Sequence, residues 1–175
     1  MQTEKQKITE SEKVSDQKII DHLQTFLLSL RQGFASMGKH YPILIEDQES
    51  NIDLLMYHAK LRCYIAVECK KPQSDMLDLQ HMNSLLPAID RLFRHPQDDI
   101  SIGLIVCQIE DKVAAEYVFT NIFKSSETSF GAASHLSQIV ISLPDALKEH
   151  LPPTKKIEEE LSKNVLAHAK SVETQ

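Results

Sequence analysis

Asn51-Ile52-Asp53-Leu54-Leu55-Met56-Tyr57 and Tyr64-Ile65-Ala66-Val67-Glu68-Cys69-Lys70 are two apolar runs with acids set into them. A turn around Tyr57 to Leu61 joins them as adjacent antiparallel strands. Side chains alternate faces along a strand, so Glu68 and Lys70 share one face and Cys69 takes the other. Asp53 reaches the same face from the neighbouring strand. An ionised carboxylate within an apolar strand has to be paired or metal-bound to offset its desolvation.

Two chemistries satisfy that requirement. A carboxylate pair with a lysine two residues on holds a hard divalent cation beside an activated water, the arrangement of a metal-dependent phosphodiesterase. The alternative is a strand-end salt bridge of Lys70 with Glu68 or Asp53. Asp…Glu-x-Lys is a short pattern that arises often by chance, so spacing alone favours the salt bridge.

Outward from the hairpin, the spacing of Ile19, Ile20, Leu23, Leu27 and Leu30 predicts a helix from a cap at Ser15 or Asp16 to about Gln32. Gly33 stops it, and Gly38 marks the loop beyond. Tyr41 to Asp47 reads as a strand, and Asp47-Gln-Glu-Ser50 turns the chain into the Asp53 strand. The next strand runs from about Leu61 to Lys70 and ends at Pro72. Ser74 caps a second helix with the stripe Leu79, Met82, Leu86, Ile89 and Phe93, and Pro87 predicts a kink or break near Leu86. Ser101 to Cys107 has the apolar continuity of a buried strand. Glu110 to about Phe123, with Val113, Ala114, Tyr117 and Val118, reads as a third helix. Lys124 to Ser137 reads as a long loop, Gln138 to Leu143 as a last strand, and Pro144 to His150 as a short helix.

These elements give an α/β chain with an αβββαβ core, a mixed central sheet flanked by helices. The expected organisation is a polar, flexible tail over 1–15, one domain over 16–153, and a charged helix or tail over 154–175. A length of 175 residues suits a single domain, and 42% hydrophobic with 25% charged residues is a globular composition. No apolar run is long enough for a transmembrane helix, and Met1 to Ser15 lacks the apolar stretch of a secretory signal, so a cytoplasmic location is expected. Cys63, Cys69 and Cys107 show no zinc spacing and read as reduced thiols. A net charge of -6 argues against nucleic-acid binding by the whole surface, though not against a local basic groove.

Several segments in order then resemble one family. Ile52 to His58, Leu61 to Lys70, Ala88 to His95, Asp98 to Cys107 and Leu143-Pro-Asp-Ala-Leu147 are similar to the YhcG-type PD-(D/E)XK nuclease domain, a restriction-endonuclease-like fold. The resemblance covers roughly Ile19 to Pro153. It implies a Mg²⁺- or Mn²⁺-dependent phosphodiester hydrolase acting on DNA. Asp53, Glu68 and the main-chain carbonyl of Cys69 would ligate the metal, and Lys70 would steady the attacking hydroxide and the scissile phosphate. It also implies a separate N-terminal domain, where this sequence has a short polar stretch. A homo-oligomer or a partner protein would then stand in for that domain, with the helix over Lys155 to Lys170 as an assembly element.

Three positions depart from the family pattern. Its glutamine on the second helix is His81 here, its tyrosine is Leu85, and its first-helix glutamate falls at Ser29. His81 lies on the flank of the helical stripe, as a catalytic-site residue or a surface histidine. Gln80 takes the glutamine's place only if the helix register slips. Arg62, Arg91 and Arg94 are candidate phosphate contacts, and Glu46 and Glu49 candidate extensions of the acidic site. The competing reading is a nuclease-fold module, catalytically impaired, that binds protein or nucleic acid.

Overall fold

The hairpin joining Asp53 to Glu68 forms, and the rest of the chain is built around it. The structure, a computed structural model, describes residues 2–71, 77–119 and 145–172. Helix α1 (Gln2–Ser29) leads into strands β1 (Phe34–Ile45), β2 (Gln48–His58) and β3 (Cys63–Lys70). Helix α2 (Leu77–Leu92), strands β4 (Ile102–Ile109) and β5 (Lys112–Phe119), and helices α3 (Asp145–Lys148) and α4 (Thr154–Val172) follow. The described strands form a sheet of order β1-β2-β3-β4-β5. Only β3 and β4 run parallel, because α2 carries the chain between them; the other neighbours are antiparallel. This is the α/β architecture expected, with β3 at the centre.

The two faces of the sheet are covered by different helices. Ile20, Leu23 and Leu27 of α1 and Ile157 and Leu161 of α4 pack with Leu54, Met56, Ile65 and Val67 on one face. Met82, Leu85, Leu86 and Ile89 of α2 pack with Leu55 and Ala66 on the other. Gly103 on β4 lets α2 approach closely: a Cβ there would lie 3.1 Å from Met82 Sδ and 3.2 Å from Val118 Cβ. No helix among the described residues is long and apolar enough to cross a membrane.

Several boundaries differ from the sequence reading. Helix α1 starts at Gln2, so residues 2–15 of the polar stretch continue the helix. That stretch holds Glu, Lys and Gln, good helix formers, and no glycine or proline to stop it. Strand β1 begins at Phe34 and runs through Gly38, which sits with φ 152° at a register shift in the β1–β2 ladder. The turn into β2 is Glu46-Asp47, with φ of 48° and 64°, as a tight two-residue hairpin requires. Helix α2 continues past Pro87, and Phe93 N–H donates to Ile89 C=O at 2.8 Å, so no break occurs near Leu86.

The expected third helix is strand β5. Val113, Ala114, Tyr117 and Val118 fit a helical spacing, yet Val113, Ala115, Tyr117 and Phe119 also alternate, and these pack on the α1/α4 face. The segment is rich in β-branched and aromatic residues, and Glu110 at φ 55° turns it back onto β4. Helix α4, read as an assembly element or tail, belongs to this core: Ile157 and Leu161 are buried. The cap at Ser74, the loop over 124–137 and the strand over 138–143 lie outside the described residues.

Gly103→Val is expected to lower stability by about 1–3 kcal/mol, the cost of overpacking, because two methyl groups would be forced against Met82 and Val118. A urea unfolding curve measures it. An unchanged midpoint would show that α2 does not sit this close to β4.

Candidate metal centre

Besides the register shift between Ser36 and Gly38, alternation in the β1–β2 hairpin fails at Asp53. Leu54 packs on the α1/α4 face while Ile52, two residues earlier on the same strand, packs on the α2 face. Opposite them, Lys39 reaches Asp21 on α1, whereas Tyr41 joins the α2 face. The ladder pairs Lys39 with Leu54 and Tyr41 with Ile52, but not His40 with Asp53. His40 takes a left-handed φ of 48°. Both strands thus turn over at this point, and Asp53 is released from ordinary pairing.

Strand β3 runs on past the last β2 partner, Leu54 opposite Val67. The side chain of Asp53 takes over there: Cys69 N–H donates to Asp53 Oδ2 at 2.7 Å. This bond fixes the Asp53 carboxylate beside Glu68. The Cys69 side chain points the other way, its Sγ donating to Asp16 Oδ1 on α1 at 3.4 Å. Burial first, then the Asp16 charge, pushes that thiol well above its usual range, so it is an inert thiol.

Glu68 is the most constrained group in the site. Its side chain is 6% exposed. Lys70 Nζ lies 3.6 Å and His81 Nε2 4.0 Å from its Oε2. Its Oε1 is buried with no hydrogen-bond partner. Burial, and then the neighbouring Asp53 charge, raise its pKa from 4.5 to about 7, and Lys70 only partly opposes them. The Glu68–Lys70 salt bridge anticipated as the plain alternative therefore exists, but it does not pull the carboxylate into the ordinary range. A pair that left its acid this poorly stabilised is a weak stabilising device and a strong functional candidate.

Asp53, Glu68, Lys70 and His81 come together, with the Cys69 main chain between the two β3 residues. The other candidates do not join them. Ser29 is exposed and its hydroxyl donates to Phe26 C=O on its own helix. Leu85 is fully buried core. Glu46 and Glu49 are exposed near the tip of the first hairpin, and Gln80 and Arg91 are exposed on α2. Arg62 lies at the other end of β3, roughly 26 Å from Lys70 along the strand, and pairs with Asp98 at 3.7 Å. The residue missed was Asp16, the first-helix acid that reaches β3. Its signal was present: Asp16 heads the stripe Ile20, Leu23 and Leu27 at helical spacing.

The donor set fits a hard divalent cation. Among the described residues no three His, Cys, Asp or Glu side chains form a ready metal cage. Asp53 and Glu68 offer carboxylate oxygens. Mg²⁺ and its relatives take one or two carboxylates and complete their shell with water and substrate phosphate. The orphaned Glu68 Oε1 is the atom with most to gain.

An acid whose pKa rises on folding binds its proton more tightly in the folded state. Glu68 therefore supports the fold fully below about pH 4.5, and that support is lost as pH rises through about 7. In chelator, Glu68→Gln is expected to gain on the parent between pH 4.5 and 8, by up to roughly 3 kcal/mol. Urea unfolding at both pH values checks this. A difference between the two proteins that does not change with pH would contradict the burial of a charged carboxylate here.

The family described as the YhcG PDDEXK nuclease domain matches residues 2–152. A protein of Escherichia coli (strain K12) named "Putative nuclease YhcG" is 30% identical over 112 residues, 64% of this chain and 30% of that protein. The chain thus matches less than a third of that relative's length. No solved structure matches significantly. With the mixed sheet, the flanking helices and a match over most of its length, the chain belongs to the YhcG family of PD-(D/E)XK nuclease domains.

Proposed function

We propose that this domain is a metal-dependent phosphodiester hydrolase that cuts DNA, with its site at Asp53, Glu68, Lys70 and His81. The observation that carries the reading is the buried Glu68 carboxylate, held beside Asp53 with one oxygen unpartnered. Asp53, Glu68 and the Cys69 carbonyl would hold Mg²⁺ or Mn²⁺, consistent with the family. A hard cation in such a site supplies Lewis acidity, which makes a water nucleophilic at neutral pH and offsets phosphate charge.

The chain's own residues do the rest. Asp53 is oriented by the Cys69 amide, so its carboxylate is set in place before substrate arrives. Lys70 Nζ, 3.6 Å from Glu68 Oε2, would meet the non-bridging oxygens of a scissile phosphate as charge develops on them. His81 closes the site from α2. The reaction is in-line displacement at phosphorus by water, breaking one P–O ester bond. DNA as substrate and a cytoplasmic setting belong to this proposal.

A second reading is a nuclease-fold module that binds without cutting. Leu85 favours it, a fully buried apolar residue where the family resemblance leads one to expect a polar tyrosine. Assembly through the apolar face of α4 has less to support it, since Ile157 and Leu161 pack in this chain's own core.

DNA cleavage is expected in Mg²⁺ or Mn²⁺ and absent in chelator. Lys70→Ala should cut at least about a hundredfold more slowly, the scale of losing one charge-stabilising donor. Cleavage by Lys70→Ala at the parent's rate would place the activity elsewhere, and metal-dependent binding without cleavage would favour the second reading.

A further inference from the structure

His40 is exposed, outside the core and outside the group of site residues, yet it stands at the point where the hairpin turns over. It faces Asp53 across the hairpin, between the pairs Lys39–Leu54 and Tyr41–Ile52, with a left-handed φ of 48°. Residues with a Cβ adopt that conformation at a cost, and β-branched residues adopt it rarely. Contacts with one stretch of α1 offset the cost. Gln17 Nε2 donates to Asp21 Oδ1 at 2.8 Å, which turns the Gln17 oxygen toward the histidine. His40 Nε2–H then donates to Gln17 Oε1 at 2.6 Å. Asp21 also pairs with Lys39, the residue before His40. Asp16, beside Gln17 in sequence, accepts from the Cys69 thiol at 3.4 Å. The same stretch of helix thus holds β1 and β3, the two strands that flank Asp53.

Resting on the reading of Asp53 as a ligand of the catalytic ion, we propose that His40 is a positioning residue: its left-handed backbone, clasped to α1 through Gln17, turns the hairpin over and aims the Asp53 carboxylate at the site. Regular pairing would keep Lys39 and Tyr41 on one face of the sheet and send the Asp53 side chain out from the other strand's face. The reversal swings that side chain edgewise toward the main chain of β3, where Cys69 N–H donates to Oδ2 at 2.7 Å. What the site requires at position 40 is therefore a backbone conformation. Glycine and asparagine take it readily, alanine and valine do not. The plain alternative is that His40 follows a turn that β2 makes by itself and sets nothing.

The test uses the full chain in chelator. Hydrogen exchange of the Cys69 amide, followed by nuclear magnetic resonance, reports where Asp53 points. Amides of the β4–β5 ladder report opening of the whole domain and serve as the reference. His40→Val should speed Cys69 exchange about tenfold or more against that reference, whereas His40→Gly and His40→Asn should keep it within about twofold. His40→Ala makes a smaller demand on the backbone and should move exchange in the same direction if His40→Val does not fold. Asp53→Ala removes the acceptor and marks the exchange of the unbonded amide. With duplex DNA and Mn²⁺, kcat of His40→Val or His40→Ala should fall while KM stays within about twofold, the split expected when a ligand is misdirected and the substrate surface is intact. His40→Asn should restore kcat. Cys69 exchange unchanged in His40→Val and His40→Ala would overturn the positioning role. Equal acceleration in His40→Gly and His40→Val would show that the ring is what matters, and would overturn the backbone requirement. Asp53→Ala cutting DNA at the parent's rate would instead overturn the reading of the site itself, whatever the exchange shows of His40.

Discussion

The hydrogen bond from Cys69 N–H to Asp53 Oδ2 is the contact on which the site depends. Strand β3 is central, antiparallel to β2 and parallel to β4, and its last residues run beyond the end of the β2 ladder. An amide left unpaired in a half-buried place costs about as much as a lost hydrogen bond. A carboxylate from β2 takes that amide because β2 turns over at Asp53, opposite His40 in its left-handed conformation. Backbone satisfaction at the end of a strand and placement of the first acid are thus one event. Any change that straightened the hairpin would lose both.

The second acid follows from that placement. Glu68 precedes Cys69 on β3, so fixing Asp53 at the Cys69 amide sets the two carboxylates side by side. Burial and repulsion from Asp53 then outweigh the attraction of Lys70 and raise the Glu68 pKa to about 7. The fold tolerates this because the two hydrophobic layers, α1 with α4 on one face and α2 on the other, stabilise the sheet independently of the site. Local instability of this kind is what a cation site needs: a binding ion gains the relief of a repulsion already built in.

Much of this was legible in the sequence. The apolar runs around Asp53 and Glu68, the α2 stripe ending near Phe93 and the buried run containing Gly103 each carry one dominant period, and each formed the element expected. Segments with two periods did not decide themselves. Val113 to Phe119 satisfies helical and strand spacing alike, and only the open edge of β4, a tertiary fact, selects the strand. The polar first turns of α1 carry no apolar signal but no breaker either. At the site, Asp53, Glu68 and Lys70 were legible as a pattern and His81 as a neighbour. The face reversal at Asp53 was hidden, since strict alternation is the assumption by which strands are read. Asp16 was read as a helix cap, although it heads the buried stripe of α1 and meets the Cys69 thiol.

The most direct test asks whether the repulsion between Asp53 and Glu68 is there for a metal to relieve. Asp53→Asn suits it, because an amide oxygen still accepts the Cys69 N–H while the charge and one ligand are removed. Thermal unfolding is followed with and without Mn²⁺. At about 100 times its dissociation constant the ion should stabilise the parent by roughly 2.7 kcal/mol, a rise in Tm of about 5–10 °C for a chain of this length. Asp53→Asn should be at least as stable as the metal-free parent and should not respond to the ion. Equal shifts in both proteins, or none in either at millimolar Mn²⁺, would contradict the assignment of these two carboxylates as a metal centre.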